Sequence, residues 1–143
     1  MDKLKGILFV TIIAALFIAC SITPKVFDDS LPEDEQATIY FSGVIPTSFN
    51  GIGLEKNTNY LKIPGGSTEF VCNISWRSGN TIYSGEDAIF RYTFEKNMEY
   101  CAYFNIKDSL WGVDVYNAPL QKIGWPPKNT LIGFVPFVNQ KKN

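Results

Sequence analysis

Side chains able to do chemistry are scarce in this chain of 143 residues, and histidine is missing altogether. Its absence excludes Ser–His–Asp and Cys–His catalysis and any histidine-bearing zinc site. Cysteine occurs at positions 20, 72 and 101, one thiolate short of a four-sulfur zinc site. No Gly-x-Gly-x-x-Gly or Walker-type loop is present to cradle a phosphate. Glu86 and Asp87 are adjacent acids, but they follow Gly85 in a stretch that reads as a polar turn. Carboxylates there are solvated rather than opposed across a substrate. These residues predict no catalytic set, no metal site and no cofactor, so the chain is not expected to be an enzyme.

Tryptophan is the residue type with binding potential, because its flat apolar face and polar edge suit a sugar or a peptide. Trp76 and Trp111 alternate in phase with apolar residues and are expected to fill the core. Trp125 lies in Gly124-Trp125-Pro126-Pro127, which reads as a loop, and is the candidate ligand-binding residue. Tyr40, Tyr103 and Tyr116 are expected on outward faces.

Cys20 differs from the other two cysteines in its surroundings. Lys3 and Lys5 precede a 13-residue apolar run, Ile7 to Ala19, and small Ala19 stands directly before the thiol. A membrane-spanning helix needs about 20 apolar residues, and Ser21 and Pro24 follow closely here. The arrangement resembles the signal peptide and lipobox of bacterial lipoproteins, with Phe17 where the strictest form of the motif has Leu. That resemblance implies cleavage before Cys20, lipidation of its thiol, and attachment to a membrane of the bacterial envelope. Ser21, in place of an aspartate, favours the outer membrane over the inner one.

The resemblance divides the chain into a signal peptide (1–19), a lipidated cysteine with an acidic tether (20–36) and a folded domain (37–143). Cleavage leaves 124 residues, with 11 basic and 13 acidic side chains, the size of one domain. Lys141-Lys142 is the one basic run, so nucleic acid is not an expected partner. Ser21–Gln36 carries Pro24, Pro32 and five acidic residues. It reads as an extended spacer of up to about 55 Å that lifts the domain off the bilayer.

From Ala37 the pattern has period two. Phe70, Cys72, Ile74 and Trp76 share one face, as do Phe90, Tyr92 and Phe94, then Tyr100, Ala102, Phe104 and Ile106, then Trp111, Val113 and Val115. Leu131–Val138 supplies a last apolar segment, and Pro64-Gly65-Gly66 is a strong turn. This predicts an all-β fold, a single antiparallel β-sandwich or small barrel. Phe94 to Tyr100 reads as a hairpin turning at Asn97. Ile63-Pro-Gly-Gly-Ser-Thr-Glu-Phe70 followed by Phe94-Glu-Lys-Asn-Met-Glu-Tyr100 resembles small transthyretin-like or immunoglobulin-like domains of bacterial lipoproteins. That likeness implies an extracytoplasmic scaffold or binding role and no catalytic residue.

Alternation also puts Cys72 on the core face and Cys101 on the opposite face with Tyr103, so two free thiols are expected. A one-residue bulge would reverse that parity and allow a disulfide. The functional expectation is a lipid-anchored envelope module, structural or protein-binding. The alternative is a sugar- or peptide-binding module built on aromatics near Trp125. Its partners are the membrane, through the lipid, and an envelope protein or glycan.

Overall fold

The computed structural model describes residues 23–121 and 124–139. The expected signal peptide and the expected lipidation site, Cys20, lie outside the described residues. Ten strands occur among the described residues: β1 (Lys25–Val26), β2 (Gln36–Ser42), β3 (Val44–Phe49), β4 (Ile52–Gly53), β5 (Tyr60–Pro64), β6 (Gly66–Ser78), β7 (Thr81–Phe94), β8 (Glu99–Lys107), β9 (Leu110–Tyr116) and β10 (Leu131–Pro136). They form a six-stranded sheet, β1-β5-β2-β8-β9-β10, and a four-stranded sheet, β4-β3-β6-β7. Pairing is antiparallel except for β1 with β5 and β2 with β8. The sheets do not close into a barrel; they face each other as a sandwich.

Alternation explains the core. Ala37, Ile39 and Phe41 of β2, Leu61 and Ile63 of β5, and Ala102 and Phe104 of β8 turn inward from one sheet. Phe70, Cys72 and Ile74 of β6 meet them with Phe90 and Phe94 of β7. Phe41 lies edge-on to Phe70, with ring centroids 4.9 Å apart. Burying each such side chain contributes roughly 1.5–3 kcal/mol.

The chain passes from the first sheet to the second at Gly43, whose φ is +75°. Trp76 lies over this corner, too close to admit a side chain there. It is half-buried against the core, as is Trp111, in agreement with their inward phase. The last apolar segment forms a strand, as expected. β10 is an edge strand, with Leu131 and Ile132 exposed and Phe137, just beyond it, buried.

Two other expectations are corrected. Phe94 to Tyr100 is not a hairpin, because β7 pairs with β6 whereas β8 pairs with β2 and β9. Asn97 does adopt the expected left-handed conformation, at φ +59°. The connection arches between sheets, fixed by a hydrogen bond from the Glu95 N–H to the Tyr100 hydroxyl (3.0 Å) and by the Asn97 N–H donating to the Gln36 carbonyl (2.7 Å).

The acidic segment is not wholly an extended spacer either. Lys25–Val26 extends the six-stranded sheet beside β5, and the Phe27 ring packs on Phe49 at 4.5 Å. Glu33–Glu35 then forms a single 3-10 turn leading into buried Gln36. Apolar Val26 and Phe27, set among prolines and charges, give this segment something to bury.

Candidate functional site

The outer face of the six-stranded sheet carries a row of aromatics. Register sets Tyr40 of β2 beside Tyr60 of β5 on one side and Cys101 of β8 on the other. Cys101 in turn pairs with Tyr116, and Tyr103 with Asp114. An outward-facing row like this would ordinarily be exposed. Instead the β9–β10 connection returns across it, its two ends joined by the Asn117 N–H donating to the Thr130 carbonyl (2.9 Å).

Ala118 and Pro119 of that connection lie over Cys101, whose thiol reaches the Ala118 carbonyl at 3.4 Å. Cys101, Tyr103, Tyr116 and Ala118 form a second buried cluster, with Tyr40 packed against it. Pro119, Gly124 and the Pro126–Pro127 pair are the sequence trace of this loop, but residue types alone do not reveal which surface a loop covers.

Trp125 sits in the same loop and remains 51% exposed. Its ring lies 4.3 Å from that of Tyr103, tilted by 36°, and 5.8 Å from that of Trp76, edge-on. Tyr103 contacts Tyr40 at 6.1 Å, and Tyr40 contacts Tyr60 at 6.3 Å. Trp76, Trp125, Tyr103, Tyr40 and Tyr60 therefore form one continuous strip. The expected loop position of Trp125 holds, and the ring is seated on neighbours that the pattern could not assign to it.

Polar groups flank the strip. Asn105 donates from Nδ2 to Asp114 Oδ2 at 2.8 Å, and Lys62 pairs with Glu33 at 2.9 Å. Burial pushes the Tyr103 hydroxyl up to about 12. The Tyr60 hydroxyl is raised by burial and then by the nearby Glu99 carboxylate, and Tyr116 by burial and then by Asp114. The phenols stay protonated at neutral pH and can donate hydrogen bonds. Flat apolar rings edged by neutral donors suit the C–H faces and hydroxyls of a sugar, or an extended peptide.

The two downstream cysteines are free and buried. The expected parity holds, since Cys72 lies in the inter-sheet core and Cys101 under the loop. Their strands are not neighbours in one sheet, however; they belong to different sheets. Glu86 and Asp87 also lie elsewhere than expected. They sit within β7 at a β-bulge, where the step from Gly85 to Ala88 faces the shorter step from Ile74 to Cys72 in β6, with Asp87 at φ +56°, and both are exposed. Comparison with protein-family models, curated proteins and solved structures gives no match.

Proposed function

We propose that this protein is a non-catalytic interaction module of the bacterial cell envelope, anchored by a lipidated Cys20, with the aromatic strip as its recognition surface. The observation that carries the reading is half-exposed Trp125 seated on Tyr103 and continuous with Tyr40 and Tyr60. A ring fixed in place by neighbouring rings loses little entropy when a ligand covers it, which favours binding. An envelope protein is the first expected partner. A sugar or peptide ligand is the second, favoured by the exposed Trp125 face and by the Asn105–Asp114 pair.

Capture of partners from envelope extract on immobilised mature protein tests the reading. Trp125→Ala removes an exposed ring without opening the core, so it should keep the circular dichroism spectrum and lose the bound species. A variant that captures the same species at the same yield would refute the strip as the recognition surface.

A further inference from the structure

We infer that the end of the sandwich carrying Trp76, Trp111 and the β6–β7 hairpin docks on the lipid bilayer. The inference rests on the reading of Cys20 as the lipidated terminus, and its starting point is where the chain enters the fold. Lys25 pairs with Leu61, Leu61 with Ile39, and Ile39 with Tyr100, so the first strand begins level with the early part of β8. From Tyr100 the β8 strand runs on to Lys107, a further rise of about 23 Å at roughly 3.3 Å per residue. Because β1 is parallel to β5, Lys25 leads back toward that same end.

Five residue steps separate Cys20 from Lys25 and span at most about 18 Å. The anchor is thus shorter than the height by which the strand tips overhang its entry point. A bilayer that holds Cys20 and lies across that end meets the domain, and the expected 16-residue spacer is cut short because Lys25–Val26 and Phe27 join the fold. The β6–β7 hairpin reaches a similar height, since the Ser75 N–H donates to the Gly43 carbonyl and Ser42 pairs with Tyr103.

The chemistry of that end matches an interface. Two of the three tryptophans are there: Trp76 over the Gly43 corner and Trp111 packed on Phe104 and Tyr83. Tryptophan concentrates at the headgroup level of membranes. Ile82, at 67% exposure, projects from the hairpin beside exposed Arg77, its pairing partner. Asp28, Asp29 and the Glu33–Glu35 turn lie at the opposite end, where β2 begins, away from an anionic surface. A bilayer at that end leaves Trp125, seated on Tyr103 of the outer face, and the strip from there to Tyr60 facing sideways, open to a partner.

The test uses the processed, lipidated full chain in vesicles of phosphatidylethanolamine and phosphatidylglycerol, with and without lipid brominated near the glycerol. Cys72 and Cys101 are buried, so a cysteine introduced by Ile82→Cys, Ile52→Cys or Asp34→Cys takes up an environment-sensitive fluorophore selectively. The expected result is a blue-shifted label at position 82, quenched several-fold more by brominated lipid than the label at 34. Quenching at 52 or at 34 in preference to 82 would mean that the β4 edge or the acidic end docks instead, and no quenching at 82 would mean that the tryptophan end does not dock. Both results overturn the inference while leaving the anchor intact. Protein that fails to float with the vesicles refutes the anchor, and the docking with it.

Discussion

At Gly43 an added methyl would sit 2.7 Å from the Trp76 ring and 2.8 Å from the Phe104 β-carbon, on a backbone at φ +75°. The left-handed backbone costs about 1–2 kcal/mol for a residue with a side chain, and the overlap adds roughly 1–3 kcal/mol. Gly43→Ala should therefore lower the unfolding free energy in urea by roughly 2–5 kcal/mol; a loss within experimental error would contradict the corner geometry. The cysteines make a second claim at this scale. Burial pushes the Cys72 thiol from 9.0 to about 12. Cys101 rises from 9.0 to about 12 through burial, with a smaller contribution from Glu99. Above pH 9 the unfolded chain gives up these protons while the folded one keeps them, so stability should fall progressively from pH 9 toward 12. The double substitution Cys72→Ala, Cys101→Ala should flatten that slope in part, because Tyr103 also contributes to it. An unchanged slope would show that the thiols are not held protonated. The facing of the two cysteines was legible from alternation because neither β6 nor β8 carries the extra residue of a bulge.

Elements were less legible than residues. The period-two segments all became strands, but their pairing depends on contacts between residues far apart in sequence. Phe94 to Tyr100 has the length and the Asn97 turn of a hairpin. The Tyr100 hydroxyl instead caps the Glu95 N–H, and each flanking strand finds its partner elsewhere. Local turn chemistry is the same in a hairpin and an arch, so the residues alone did not separate them. The acidic segment misleads in another way: its charges outnumber its apolar residues, yet two of those, Val26 and Phe27, join the fold. Truncating a fully buried Phe costs about 3–5 kcal/mol. Phe27 is half-buried against Phe49, so Phe27→Ala should cost about 2 kcal/mol, read as a lower urea midpoint of the 21–143 fragment. A midpoint equal to wild type would restore the segment to a free tether.

On the scale of the whole molecule, the sandwich has one covered outer face, one aromatic strip, and tryptophan and acidic ends that oppose each other. The all-β class was legible because inward aromatics recur at every second residue. The loop position of Trp125 and the outward phase of Tyr40 and Tyr103 were legible, but their contact was not, because the burial of Tyr103 under the β9–β10 connection is a tertiary event. The proposed attachment through Cys20 would give these features a common direction, toward a membrane at one end and a partner at the side. Metabolic labelling with a palmitate analogue in the bacterial host tests that attachment most directly. Wild-type protein should carry the label on a processed chain, and Cys20→Ala should carry none and keep its signal segment. Persistent labelling of Cys20→Ala, or an unlabelled wild-type chain released in soluble form, would contradict the account.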